Sequence, residues 1–235
     1  MTAIPYVGRE LDVFAHARNW KAYWSSEIRA CFMGDVLEVG AGIGANTEVL
    51  WNDHVTSWTC LEPDPALAER LRSRLLMRSG LEACKVVVGT IETIGSSRQF
   101  DGILYIDVLE HISDDHAELA RASSILRSGG RIAVLAPAHQ WLFTPFDRAI
   151  GHVRRYDKVS LSACSPGDCR MERLAYLDSA GMLASLGNLL LLRQAEPSLN
   201  QILFWDRFLV PLSRFTDLVT FHQVGKSILG IWKKR

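Results

Sequence analysis

Short apolar runs alternate along the chain with stretches in which leucine recurs at helical spacing. Val36 to Val39, Val55 to Leu61, Lys85 to Val88, Gly102 to Ile106, Arg131 to Ala136, Met171 to Leu177 and Ser227 to Trp232 read as strands. Helical patterns lie between them at Ala45 to Trp51 and at Pro65 to Arg78, the latter with Leu67, Leu71, Leu75 and Leu76 on one face. A third runs from Asp114 to Leu126, and Ser128-Gly129-Gly130 should end it with a left-handed turn. Strand and helix in alternation imply an α/β fold, a doubly wound, mostly parallel sheet. From Asp157 onward the pattern loosens, because Pro166 and Gly167 leave room for only a short helix before the sixth strand.

Two segments stand outside this alternation. Residues 9–32 read as an N-terminal helical cap, with Leu11, Phe14, Trp20, Tyr23, Trp24 and Ile28 on an irregular apolar face. Residues 181–219, rich in Leu, Phe and Trp, form a helical insertion before the last strand. Three roles suit it: a lid over a binding site, a homodimer contact, or shallow contact with a membrane, in that order. The last ranks lowest because the polar face lacks a run of lysines. The longest apolar run, Ala180 to Leu192, is broken by Gly187 and Asn188 and falls short of the roughly 18 residues of a transmembrane segment. One domain over residues 1–235 accounts for the whole pattern.

The chemistry concentrates where the first strand ends. In Val36 to Thr47, VLEVGAGIGANT, an apolar run meets Glu38 and then Gly40, Gly42 and Gly44 before a helix begins. Glycine admits the positive φ of a tight turn and lets backbone approach a ligand, while the helix start offers unpaired N–H groups. These residues satisfy the dinucleotide pattern G-x-G-x-x-A, with Glu62 at the interval of a ribose contact, so a nicotinamide-dependent oxidoreductase is one reading. Glu38 favours another. A carboxylate at the strand tip repels a diphosphate and attracts a ligand carrying a sulfonium and an ammonium, as S-adenosylmethionine does. A non-catalytic protein that retains the cofactor cradle is the third.

Composition narrows the partners. Lys+Arg and Asp+Glu number 26 each, so the formal charge is zero, and with no basic stripe a nucleic-acid partner is not expected. Five cysteines without a C-x-x-C pair argue against a disulfide framework or a zinc site, and the N-terminus lacks the features of a signal peptide. A cytoplasmic setting is the expectation. The histidines and acids show no H-x-x-x-H or similar spacing, so no metal is expected.

Glu38, Gly40, Gly42 and Gly44 fit E/D-x-G-x-G-x-G, and three stretches follow in order: LEPD at Leu61 to Asp64, GTIE at Gly89 to Glu92 and FDGILYIDVLEHI at Phe100 to Ile112. Together they resemble a class I S-adenosylmethionine-dependent methyltransferase. The resemblance implies a Rossmann-like seven-stranded sheet with an antiparallel last strand, S-adenosylmethionine as cofactor and S-adenosylhomocysteine as its product. It also implies that Glu62 and Pro63 meet the ribose, that Thr90, Ile91 and Glu92 frame the adenine, and that Ile106 and Asp107 stand by the methionine end. Asp64 reads as the cap of the helix that Pro65 opens. In this family the N-terminal helices close over the cofactor, where an Asn-Tyr pair often touches its amino-acid end. Asn19-Trp20 keeps the aromatic ring and loses the hydroxyl, and Trp20 packing against the sheet is the alternative. His111 occupies the position that faces the methyl group in the family pattern, although a lone histidine after a strand is more often a packed residue.

Pro137-Ala138-His139-Gln140-Trp141-Leu142 and Gly151-His152-Val153-Arg154-Arg155-Tyr156 resemble the P-A-H-x-W-L and G-H-x-R-R-Y stretches of a bacterial small-molecule subgroup. Trp141, Arg155 and Tyr156 are accordingly the expected acceptor contacts. An Arg155 to Asp147 ion pair that fixes the loop is the equal alternative. The expected reaction is in-line displacement at the methyl carbon by a small, aromatic or apolar acceptor, with natural-product tailoring as the setting. Because the sulfonium already activates that carbon, alignment is the protein's main contribution, worth roughly 7 to 11 kcal/mol. A hydroxyl or protonated amine acceptor needs a base, for which His111, His139 and His152 are candidates, whereas a ring carbon needs one only after transfer. A cation-dependent catechol methyltransferase is disfavoured by the missing ligand spacing.

Overall fold

The structure, a computed structural model, describes residues 10–81, 83–187 and 198–235; residue 9 of the cap and residues 188–197 of the insertion lie outside them. Seven strands form one sheet: β1 Gly34–Val39, β2 Val55–Glu62, β3 Cys84–Val88, β4 Phe100–Ile106, β5 Leu126–Pro137, β6 Cys169–Leu177 and β7 Ser227–Lys234, in the order β3-β2-β1-β4-β5-β7-β6. Strands β1 to β5 pair in parallel, while β7 runs antiparallel to both β5 and β6. Strand order reverses between β1 and β4. Ligands of open parallel sheets bind beyond the carboxyl ends of the strands at such a reversal.

Successive side chains on a strand leave opposite faces, and here both faces are covered. Leu104, Ile106, Ala133 and Leu135 enter one core with Trp24 and Ile28 of helix α2 (Arg18–Ile28) and with Leu71 and Leu75 of helix α4 (Pro65–Leu76). Ile103, Tyr105, Ile132 and Val134 enter the other with Leu119 and Ala122 of helix α5 (Asp115–Ser124) and Leu161 of helix α7 (Lys158–Ala163). The short helices α1 (Glu10–Phe14), α3 (Thr47–Leu50) and α6 (Pro145–Ala149) complete the frame up to β6.

Local chemistry sets most helix starts. Asp64 caps α4, accepting the N–H groups of Ala66 at 2.7 Å and Leu67 at 3.2 Å, with Pro65 at the first helical position. One boundary departs from the sequence pattern. Helix α5 ends at Ser124, and Leu126 already pairs with Phe100 on β4, so Gly129, at φ 80°, lies inside a bulged strand and closes no helix. The ladder to β4 takes the segment that the glycine pair marks in the sequence as a helix stop.

The insertion folds as α8 (Ser179–Gly187), α9 (Leu199–Phe204), a π turn at Trp205–Leu209 and α10 (Val210–Val219). It is fastened by buried carboxylates. Asp206 accepts the N–H groups of Asn19 at 3.1 Å and Trp20 at 2.8 Å, the starting N–H groups of α2, whose own N-cap position, Ala17, has no acceptor side chain. Asp217 accepts from the Tyr23 hydroxyl at 2.7 Å and from the N–H groups of Asp178 and Ser179 at 2.7 and 2.9 Å. The outer side of the insertion leaves Phe208, Phe215 and Leu218 exposed. Among the described residues no helix is long and apolar enough to cross a membrane.

Candidate functional site

A cavity of about 1280 Å³ opens beyond the carboxyl ends of β1 to β5 and is walled further by α1, α2, the segment from Leu142 to Arg155 and the insertion. Its floor is the glycine loop. Gly40, Gly42 and Gly44 have φ of 66°, 56° and 77°. A Cβ on Gly40 would meet Val108 at 2.5 Å and one on Gly44 would meet Leu71 at 2.4 Å, so the loop lies flat only as glycine. Gly44 therefore packs on α4, outside the cavity. A Cβ on Gly42 would instead occupy the cavity itself, 3.7 Å below Leu11.

Glu38 does not reach the cavity. It is buried beneath the loop, where Oε2 accepts from Thr47 Oγ1 and, at 2.9 Å, from Trp58 Nε1, and Oε1 has no partner. Desolvation pushes its carboxyl up to about 7 despite those two hydrogen bonds. The residue braces the loop and does not present a charge to a ligand, which corrects the electrostatic role expected of it. Glu62 does line the cavity. Its two oxygens accept the N–H groups of Gly42 at 2.7 Å and Asp64 at 2.9 Å, tying the loop to the end of β2, and each oxygen keeps a second lone pair.

Pro63, Thr90, Ile91, Glu92, Ile106 and Asp107 all border the cavity, Ile91 as a buried apolar wall beside the Thr90 turn. Asp107 takes a left-handed φ of 55° with its N–H on Leu135 O at 2.8 Å, which turns the chain at the end of β4. Trp20 borders the cavity and packs on Tyr23 and Trp205 at 6.0 and 5.7 Å between ring centroids. Lys21, beside it, belongs to no motif in the sequence. Its ammonium donates to Phe14 O at 2.6 Å inside the cavity wall, and desolvation pulls it down to about 8 although Asp107 opposes that shift. The signal available was a lysine on an otherwise apolar helix face.

Elsewhere in the cavity wall the structure brings His111 and His152 together, with ring centroids 4.6 Å apart and planes at 85°. Burial lowers His111 to about 4, helped by its neighbour His152. Asp147 accepts from His152 Nδ1 at 3.0 Å and from the Arg155 fork at 2.9 Å on both oxygens. Burial alone would raise the Asp147 carboxyl, but the His152 hydrogen bond and the Arg155 guanidinium hold it well below the usual range. The ion-pair reading of Arg155 is thus the arrangement found, at the cavity edge. Glu110, which carries no spacing signal in the sequence, is fully buried in the cavity wall. Neither of its carboxylate oxygens has a hydrogen-bond partner.

His139, Trp141 and Tyr156 lie outside the cavity. Ala138 and Tyr156 form a β-bridge, and His139 donates its N–H to Tyr156 O at 2.7 Å, so the two stretches zip together with these side chains turned away. His139 is held at φ 65° with Nε2 on Gly225 O at 3.0 Å, its ring stacked on Tyr176. Tyr156 is buried and donates its hydroxyl to Asp115 at 2.8 Å, while Trp141 is 55% exposed. Of the three expected acceptor contacts only Arg155 borders the cavity.

Residues 37–132, the part that carries the glycine loop, Glu62 and Asp107, match the family described as a methyltransferase domain. No curated protein matches the sequence significantly. Solved structures share the fold over nearly the whole chain. An S-adenosylmethionine-dependent methyltransferase from Clostridium acetobutylicum superposes with a TM-score of 0.60 at 11% identity, covering 93% of this chain and 92% of that one. The N-methyltransferase NodS from Bradyrhizobium japonicum gives 0.57 at 15%, covering 94% and 96%. Coclaurine N-methyltransferase bound to N-methylheliamine and SAH gives 0.62 at 16%, covering 91% and 69%. Residues 37–132 thus match a methyltransferase domain, and the seven-stranded sheet completed around them has the fold of these solved methyltransferases.

Proposed function

We propose that the chain transfers the methyl group of S-adenosylmethionine to a small acceptor held in the same cavity. The observation that carries this is one continuous cavity of about 1280 Å³ that runs from the glycine loop to the Leu142 to Arg155 segment. A single drug-sized ligand fills roughly 300–1,000 Å³, so space remains for a second molecule. The residues fit the cofactor. Gly42 leaves room where a Cβ would stand, and Glu62 has spare lone pairs for a diol. Lys21 and Asp107 offer opposite charges to a zwitterionic amino-acid end, while Ile91 gives an apolar face for the adenine. When bound, the sulfonium supplies an activated methyl carbon.

The chain's own residues then align and dehydrate. Ile202, Trp205 and Leu209 of the insertion wall the cavity, which supports the lid role, and the apolar Leu142 and Phe146 suit an aromatic or apolar acceptor. Natural-product tailoring is the setting we favour. The test is calorimetric binding of S-adenosylhomocysteine followed by transfer of a labelled methyl group to a panel of phenols, amines and indoles. Binding together with transfer to at least one acceptor is expected; preference for NADH would return the chain to the oxidoreductase reading.

A further inference from the structure

We propose that Glu110, His111 and His152 form a site for a divalent first-row metal cation in the wall of the cavity. This rests on the methyltransferase reading only for its consequence, the choice of acceptor. One ligand atom from each of the three residues lies within 4.8 Å of the other two, and all three side chains border the cavity. Glu110 carries the argument. It is 0% exposed, and a fully buried carboxylate with both oxygens unpartnered is a costly state that a cation would relieve.

The histidines are already oriented as ligands. Because Asp147 can only accept, His152 donates from Nδ1 and turns Nε2 toward Glu110 Oε1, at 3.7 Å. That separation is too long for a hydrogen bond and near the roughly 3.3 Å that two ligands at about 2.0–2.1 Å from one tetrahedral ion would show. A carboxylate on the far nitrogen of a metal-binding imidazole is the usual supporting arrangement, and Asp147 supplies it, itself fixed by Arg155 and Thr144. His111 is placed by the one-turn helix Leu109–His111 and stands edge-on to the His152 ring.

Two imidazoles and a carboxylate suit Zn²⁺, Mn²⁺, Fe²⁺ or Co²⁺ rather than Ca²⁺ or a soft ion. The second cluster of this kind among the described residues, Asp115, His116 and Cys164, differs in the decisive respect: Asp115 already receives Tyr156 and Arg154. At Glu110 the remaining coordination positions open on the cavity. An acceptor that offers an oxygen ligand, a hydroxyl ahead of an amine or a ring carbon, is the class such a site selects. Sequence spacing could not show this cluster, because His152 comes from the far side of β5 and α6.

The full chain, stripped with a chelator, is titrated with Co²⁺ and then Zn²⁺, followed by the visible absorption of bound Co²⁺ and by calorimetry. One equivalent is expected to bind with the spectrum of a nitrogen- and oxygen-ligated ion, and Zn²⁺ should displace it. Glu110→Gln and His152→Ala should each weaken binding at least 100-fold, Asp147→Asn tenfold to 100-fold, and His139→Ala should leave it unchanged. Absence of stoichiometric Co²⁺ binding by the wild type, or binding retained in both Glu110→Gln and His152→Ala, overturns the site. The wild-type spectrum requires no variant to fold. S-adenosylhomocysteine titrated into the same metal-free protein separates the two readings. Product binding together with failure to take up Co²⁺ defeats the cation site alone, whereas Co²⁺ uptake without product binding supports the site and defeats the methyltransferase reading.

Discussion

At the ends of β1 and β2, Glu38 and Glu62 are both buried, yet only Glu62 reaches the cavity, and the difference fixes what each substitution should do. In Glu62→Gln an amide N–H would face the N–H of Gly42 or Asp64, a donor against a donor, at a cost of about 1–3 kcal/mol. The dissociation constant for S-adenosylhomocysteine, measured by calorimetry, should rise tenfold to 100-fold; an unchanged constant would remove Glu62 from the site. Glu38 acts on stability. Its folded carboxyl is raised to about 7 from an ordinary 4.5, so the folded state binds the proton more tightly than the unfolded chain. Its contribution is fully present below about 4.5 and is lost as pH rises through 7, on the order of 3 kcal/mol across the window. Urea unfolding at pH 6 and pH 8.5 should show a smaller loss of stability for Glu38→Gln than for the wild type, and equal losses would contradict the assignment. The position of Glu62 at the end of β2 was legible in the apolar run that stops at it, but its hydrogen bond from Gly42, twenty residues away, was not. Glu38 misled because β1 is buried on both faces, and a carboxylate in such a strand has no polar side to mark its direction.

Helix α2 begins without a side-chain cap of its own and borrows one from Asp206, far away in the chain. This contact joins the N-terminal cap to the insertion, the two elements that close the cavity from above. Asp206→Ala should lower unfolding free energy by about 2–3 kcal/mol in urea titrations, because charged acceptors are lost from buried N–H groups. It should also admit protease to α1 and α2 before global unfolding; a loss below 0.5 kcal/mol with no local cleavage would show the tie to be incidental. Alternation in the sequence revealed the strands, since period and turn residues are local properties. The bulge at Gly129 was hidden, because the pairing of Leu126 with Phe100 that decides it is a tertiary event. The bridge from Ala138 to Tyr156 was hidden for the same reason, and with it the outward turn of His139 and Trp141.

The whole molecule sets two faces of the insertion against each other: Ile202, Trp205 and Leu209 line the cavity, while Phe208 and Phe215 meet solvent. Ligand binding and surface association are therefore separable. Substituting Phe208→Ser and Phe215→Ser together should leave S-adenosylhomocysteine affinity within about twofold, whereas any self-association detected by sedimentation should fall. A large loss of affinity would mean that the outer face supports the cavity. The measurement that tests the central claim most directly is parallel calorimetric titration of the chain with S-adenosylhomocysteine and with NADH. The cavity, with Glu62 at its floor and Lys21 and Asp107 at its wall, predicts saturable one-to-one binding of the thioether nucleoside, weakened in Glu62→Gln, and no uptake of the dinucleotide. Saturable NADH binding with no heat from S-adenosylhomocysteine would contradict it.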